Sequence, residues 1–539
     1  MCNSTIKRVK VYGGPGCGKT TNEMSMYSTF LAKDYTPEDI TAITFRLSSA
    51  TDLNKKVMQT ANISKKEVSK HVGTIHSICN RLSGNQKLIK PKELDDFAQE
   101  FGYTEYIENK KTVTKTTYGE EETKAYSGNL YDLYTWLRNT QTPAEKWFMY
   151  PGTENIILPE RKITDFIKDY ERYKEKIGRI DFSDMLQNVL DNKIQLDTPV
   201  LMVDEFQDLT AQMYKVFELW ESACEYVVIA GDPLQSIYGF WGGSPDYYKN
   251  WKAEEVVLKK SYRLPAQVWD YAKEILRYEG MTAPEITAKN ECTSPMSYLD
   301  WDDPTPSHSS ELHLIRCNYQ AYSIAMKLAA DGKLFGGLFG WSSAEMNLIN
   351  AIVSYRLGKQ LSLDQMLALA EYYPVEMFGM KSKSKKEDLI TALGNNYIVK
   401  ASSLQVGSVF ITQKLVSALL SEDPTTHMKN DNKLLTAKIN GMKSASVPPT
   451  RAAKNTKGGF IEPCFSRNIL TIHGAKGLEA EAVFLHTSIT KNIYKNLVIP
   501  GEESAAEARV WYVGATRAKE KLYIIKDAGK NYPMPEVTA

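Results

Sequence analysis

Short apolar runs alternate with amphipathic stretches along most of the chain. Ile6 to Tyr12 alternates as a strand does, and Asn22 to Lys33 carries a helical period. Asp39 to Arg46 is a short apolar run ending in polar and aromatic residues, and Ser48 to Thr60 reads as a helix. Val72 to Cys79 repeats the form: strand, Thr/His turn, helix. Thr198 to Val203 and Tyr226 to Ala230 are two further apolar runs. Strand alternating with helix predicts an α/β fold with a parallel sheet, whose working residues stand at the carboxyl ends of the strands.

From about Asn85 to Gly178 the period becomes helical, over Lys92 to Phe101, Tyr131 to Asn139 and Pro159 to Lys176. The polar stretch Tyr103 to Gly128 reads as a loop or weak hairpin. A second α/β unit begins near Val256. Glu311 to Arg316 is predicted as a strand and Tyr319 to Ala330 as a helix. Ser342 with Glu345 is a capping box opening a helix through Leu357. Thr287 to Ser310, rich in Pro, Ser and Asp, reads as an exposed connection. Pro374 to Pro463 is Lys-, Ser- and Thr-rich with amphipathic stretches at Asp388 to Leu393 and Ile411 to Leu420. The α/β pattern returns at Asn468 and ends in the strand Leu522 to Lys526. The expected division is 1–84 plus 178–258, with a helical insertion at 85–177, then 259–373 plus 465–539, with a small helical insertion at 374–464.

A chain of 539 residues fits two to four domains. No apolar run approaches the ~20 residues that a membrane span needs. The start of the chain shows no signal-peptide pattern, and the seven cysteines form no C-x-x-C pair. Reduced thiols, a cytoplasmic setting and no structural zinc are therefore expected. A net charge of +1 does not advertise a nucleic-acid binder, but a local groove can be basic in a neutral protein.

The chemistry concentrates first at Gly13-Gly14-Pro15-Gly16-Cys17-Gly18-Lys19-Thr20-Thr21, which fits G-x-x-x-x-G-K-[ST] between a strand and a helix. Such a loop turns successive N–H groups into one hollow at a helix N-terminus, which binds phosphates. Lys19 would reach the outer phosphates and the Thr20 hydroxyl would sit on Mg²⁺. Asp204-Glu205 follows an apolar strand. There Asp204 can hold the metal and Glu205 can act as general base. Gln235 after another strand, and Arg517 far along the chain, are ordinary surface residues on physics alone.

Six segments change those weights. Gly13 to Thr20, Asp204 to Asp208, Gly231 to Tyr238, Ser261-Tyr262-Arg263, Thr471 to Glu479 and Tyr512 to Ala518 occur in this order. Together they resemble the ordered motifs of the UvrD/Rep/PcrA family of superfamily 1 helicases. The resemblance implies two RecA-like parallel-sheet motor domains with ATP and Mg²⁺ in the cleft between them. It assigns Lys19, Thr20, Asp204, Glu205 and Gln235 to the first domain, and Arg263, Glu479 and Arg517 to the second. Arg263 and Arg517 are then γ-phosphate contacts, Glu479 a ribose contact and Tyr262 the ring that stacks on adenine. The single strand is expected along Thr44, Phe45, Thr74, His76, Tyr238, Phe240, Trp241, Thr471 and His473. Aromatics suit a track because they stack on any base.

The implied activity is ATP-driven 3′→5′ movement on single-stranded DNA with unwinding of duplex or forked DNA. The alternatives are a DNA-stimulated ATPase that remodels nucleoprotein or drives a nuclease complex, and a small-molecule kinase, which leaves five motifs unexplained. Partner proteins of replication, repair or nuclease complexes are expected, and no membrane. The chain departs from the family in three places. No adenine-reading glutamine helix precedes Ile6, so Tyr262 is expected to take on that work. Gly239 and Trp241 replace the usual arginines, which shifts base contact toward stacking. The second insertion is small, so translocation is expected more firmly than strand separation.

Overall fold

Val-, Ile- and Leu-rich runs become parallel strands here because helices cover both faces of the sheet they form. The computed structural model describes residues 6–104, 130–153, 156, 158–289, 295–359, 361–381, 386–395, 412–421, 424–428, 433–444, 465–497, 501–527 and 529–535. It divides into two compact units, Met1–Glu291 with Ile499–Thr516, and Cys292–Val498 with Arg517–Ala539.

In the first unit, β1 (Lys7–Gly13), β2 (Ile40–Thr44), β3 (Val72–Thr74), β4 (Val200–Val203), β5 (Tyr226–Gly231) and β6 (Glu254–Leu258) form one sheet. Its order is β3-β2-β4-β5-β1-β6 and every pair is parallel. Successive side chains on a strand point to opposite faces. Leu201 and Val203 accordingly join a core with Phe206, Phe217 and Trp220, while Val200 and Met202 join one with Val11, Tyr27 and Val57. The register pairs Val203 with Ile229 and Tyr12 with Gly231, so Gly13, Asp204 and Asp232 leave the sheet at one edge.

Within the stretch 85–177, helices Pro91–Phe101, Leu130–Thr140 and Glu160–Ile177 pack around Phe97, Tyr134, Phe166, Tyr170 and Tyr173, as the helical period predicts. The polar stretch Tyr103 to Gly128 falls almost wholly outside the described residues. Buried Lys174 ties this bundle to helix Phe182–Asp191, donating to Tyr134 Oη (2.9 Å), Asp181 (2.8 Å) and Asp184 (2.5 Å).

β7 (Lys260–Pro265) and β8 (Thr287–Lys289) form a small parallel pair, also in the first unit. This differs from the expected division, which began the second motor domain at 259 and kept 465–539 within it. The cause is side-chain and backbone bonding. Ser261 Oγ donates to Pro15 O (2.8 Å) and Tyr262 N to Gly16 O (2.9 Å). Helix Glu502–Ala515 packs on helix Ala266–Arg277, with Ser504 Oγ donating to Glu279 (2.7 Å) and Arg509 Nε to Ser236 O (3.1 Å).

The second unit has its own parallel sheet of β9 (Met296–Asp300), β10 (Glu311–Ile315), β11 (Gly336–Gly337), β12 (Arg467–Thr471), β13 (Ala480–His486) and β14 (Ala518–Lys526), in the order β11-β12-β10-β13-β14-β9. β9 corrects the reading of Thr287 to Ser310 as a plain connection. It is an edge strand, pairing Met296 with Leu522 through Asp300 with Lys526. Helices Ser343–Arg356, Leu363–Tyr372, Gln413–Leu420 and Lys433–Ser444 share one core with Ile315, Ile324, Leu328 and Ile469. The described helices of the second insertion thus share the core of the second unit. Gly441 lies against Ala329, where a Cβ would overlap the backbone, and buried Lys438 donates to Glu345 (2.9 Å).

Candidate functional site

The turn after β1 is built from its glycines. Gly16 (φ +71°) and Gly18 (φ +78°) adopt the left-handed backbone that only glycine takes without strain. A Cβ on Gly16 would overlap Arg263, and one on Gly13 would stand 2.6 Å from Lys19 Cγ. Gly18 then caps helix Lys19–Leu31, whose free N–H groups face the loop. Lys19 Nζ donates to Gly13 O at 2.8 Å, folded back over the loop. Cys17 is buried, and burial pushes its thiol up to about 11, so it is a packing residue rather than a nucleophile. Gly14 packs on Ile286, Pro15 O is held by Ser261, and Thr20 and Thr21 open the helix.

β4 delivers Asp204 and Glu205 to the same edge. Asp204 is buried, and desolvation together with the Glu205 charge pushes its carboxyl up to about 7. Glu205 N donates to Asp204 Oδ1 (2.8 Å), and Gln207 Nε2 reaches the Glu205 carboxylate. From β5, Asp232 N donates to Gln207 Oε1 (3.0 Å) and Gln235 Nε2 to Asp232 Oδ2 (2.7 Å). Tyr12 Oη donates to Asp232 Oδ1 (3.2 Å). Gln235 is therefore aimed by a chain of bonds that starts at the acidic pair.

Tyr262 is 69% exposed, beside Gly18, with Lys260 Nζ 5.2 Å above its ring. The structure brings Tyr262 and Arg263 to the phosphate loop within one unit. Glu479 and Arg517 lie in the other unit. There Glu479 pairs with Lys519 (2.6 Å), and the Arg517 carbonyl accepts from Ala480 N (3.2 Å).

A second group of side chains follows β2, β3 and β5. Phe45 packs at a tilt on Tyr238 (5.4 Å), Tyr238 meets Phe240 (6.2 Å), and Phe240 meets Trp241 (6.1 Å). Phe240 and Trp241 are about half exposed (49% and 47%), and Trp241 O is held by Asn139 of the helical insertion (3.1 Å). His76 stands edge-on to Phe182 (5.7 Å), and desolvation lowers its ring to about 4, so it is neutral at physiological pH. Phe182, 61% exposed, escaped the sequence reading. Its only signal was its place directly after an N-cap, Asp181. Thr74 and Thr471 cap the helices that follow them, accepting from Ser77 N (3.2 Å) and Gly474 N (3.0 Å). His473 lies in the second of those helices. Thr44 is buried at the end of β2, so its hydroxyl does not face solvent.

Sequence comparisons identify relatives of this chain. The family model described as the UvrD/REP helicase N-terminal domain matches residues 1–255, and the UvrD-like helicase C-terminal domain matches 462–528. A probable DNA helicase II homolog of Mycoplasma pneumoniae is 22% identical over 96% of this chain and 81% of its own length. The DNA helicase II of Rickettsia typhi is 22% identical, covering 95% and 88%. The ATP-dependent DNA helicase PcrA of Staphylococcus epidermidis is 20% identical, covering 95% and 80%.

Proposed function

The chain belongs to the UvrD/Rep/PcrA-like family of superfamily 1 helicases and is an ATP-hydrolysing DNA helicase; from that premise we propose that it moves 3′→5′ on single-stranded DNA and unwinds the duplex ahead. The supporting observation is the phosphate loop tied by Ser261 and Tyr262, in one unit with Asp204-Glu205 at the same sheet edge.

Lys19 would bind the outer phosphates, and Thr20 and Asp204 would hold Mg²⁺. The donor set fits such an ion: Asp204 is a buried carboxylate, and nearby Glu23 has a buried oxygen, Oε2, without a hydrogen-bond partner. Bound there, Mg²⁺ would neutralise charge on the transferring phosphoryl group. Glu205 would orient the attacking water and take its proton. Gln235 would sense the γ-phosphate, and Arg263 and Arg517 would stabilise its developing charge. Tyr262 offers its exposed face to the base, and Glu479 would turn from Lys519 to the ribose. Phe240, Trp241 and Tyr238 would stack on bases, with His76, Phe182, His473 and Thr471 along the same strand.

A second reading, a translocase that remodels nucleoprotein or drives a partner nuclease without strong unwinding, draws on the shared core of the second insertion. Duplexes bearing a 3′ tail, a 5′ tail or no tail separate the two. Displacement confined to the 3′-tailed substrate supports the first. DNA-stimulated ATPase without displacement supports the second. Lys19→Ala should abolish turnover while single-strand binding is kept. ATPase retained in that variant would remove the assignment of the loop.

A further inference from the structure

Helix Lys19–Leu31 carries a carboxylate, Glu23, whose buried oxygen suits a cation nearby but which has no role of its own among these steps. Glu23 lies four residues after Lys19 and three after Thr20, on the face that those residues share. It is 2% exposed, and its Oε2 is buried without a hydrogen-bond partner. Apolar residues would suit a helix packed on a sheet. A buried, unsatisfied carboxylate instead costs stability.

The charges around Glu23 come from three elements. Asp204 and Glu205 follow β4, Lys19 shares its helix, and Lys56 projects from helix Leu47–Ala61. Three carboxylates and two ammonium groups thus act on one another electrostatically, with one negative charge in excess, and Lys19 is already engaged with Gly13 O. A bound cation would offset the remaining negative charge. No group of three His, Cys, Asp or Glu residues among the described residues is arranged to ligate a metal directly. A water-mediated contact is the arrangement that remains, and it suits Mg²⁺, which keeps several of its waters.

We infer that Glu23 is a third carboxylate of the Mg²⁺ site, accepting a hydrogen bond from a metal-bound water through Oε2, so that the cation binds before any nucleotide. The inference rests on the placement of Mg²⁺ at Asp204 and Thr20. It goes beyond that placement by giving the nucleotide-free protein its own cation affinity and by adding a positioning residue from the helix itself. With the cation in place, the Asp204 and Glu205 charges are partly neutralised before the nucleotide's own negative charge arrives.

The test is Mn²⁺ binding to the nucleotide-free full-length chain, followed by electron paramagnetic resonance, with Mg²⁺ as competitor. The wild type should bind one Mn²⁺ that Mg²⁺ displaces. Glu23→Gln, isosteric and uncharged, should weaken binding about tenfold or more, as loss of an outer-shell partner does. Glu23→Asp, which keeps the charge but withdraws it, should fall between, and it stands in if Glu23→Gln does not fold. Asp204→Asn should abolish binding. If Asp204→Asn abolishes binding and the Glu23 variants match the wild type, the role of Glu23 is overturned while the site stands. If Asp204→Asn also leaves Mn²⁺ in place, the metal placement itself fails, and this inference with it. No Mn²⁺ uptake by the wild type without nucleotide overturns the inference outright.

Discussion

Glu205 holds a left-handed backbone (φ +54°), which costs a side chain with a Cβ on the order of 1 kcal/mol or more. The turn directly after β4 imposes it, with Gln207 and the Glu205 N–H to Asp204 bond fixing both ends. Such strain belongs where direction matters more than stability, and here it fixes the direction of the residue proposed as general base. Asp204 is in the same position electrostatically, since burial beside Glu205 disfavours its charged form. The second unit carries a different unsatisfied group. His313 is buried, stacked on Phe484 (4.5 Å) and 3.5 Å from Glu311, and desolvation lowers its ring to about 4. The folded chain keeps this ring neutral, while the unfolded chain protonates it below about pH 6.5. Unfolding therefore takes up a proton between about pH 6.5 and 4. Stability falls as pH drops through that window and is unaffected by this group above it. One proton corresponds to a slope of about 1.4 kcal/mol per pH unit. Denaturant unfolding of His313→Asn across the window should show that slope reduced by nearly this amount. An unchanged slope would assign the acid sensitivity elsewhere.

Among the elements, the short turn Gly239–Trp241 shows how packing sets exposure. Tyr238 is anchored on Phe45, and Trp241 O on Asn139, so the two rings between these anchors stay half exposed. Stacking on a base is worth about 1–3 kcal/mol per ring. Phe240→Ala with Trp241→Ala should therefore weaken single-strand binding by tenfold or more, with basal ATPase in the absence of DNA kept. Fluorescence anisotropy with a labelled oligonucleotide measures it, and unchanged affinity would return both rings to a packing role. The Lys174 node works one layer further out. It holds the helical bundle on helix Phe182–Asp191, which presents Phe182 beside His76. Strands were legible as continuous apolar runs where both faces are covered, as in β4 and β5. β9 was not, because an edge strand of five residues in a Pro- and Asp-rich stretch has no period of its own and is specified by its pairing with β14.

Across the molecule, Lys19 and Arg517 belong to different compact units although the resemblance assigns them to one reaction. Arg517→Ala should cut DNA-stimulated turnover by about a thousandfold with little loss of ATP binding, as loss of an arginine on a transferring phosphoryl group does. Steady-state ATPase alongside nucleotide-binding titrations separates the two effects. Unchanged turnover would mean that the second unit takes no part in hydrolysis.

Local order along the chain was enough for the phosphate loop, the acidic pair after β4 and the sequence of six motifs. Each of these needs residues only a few positions apart, and spacing carries that information directly. Long-range contacts decided the rest. Ser261 and Tyr262 bond to a loop some two hundred and fifty residues earlier. Helix Glu502–Ala515 joins the first unit through Arg509 and Ser504. Glu23 reads as one more polar position on an amphipathic helix until folding removes the water around it and leaves its Oε2 buried without a partner. Burial and partnership arise only when distant segments close on one another, so no window of sequence contains them.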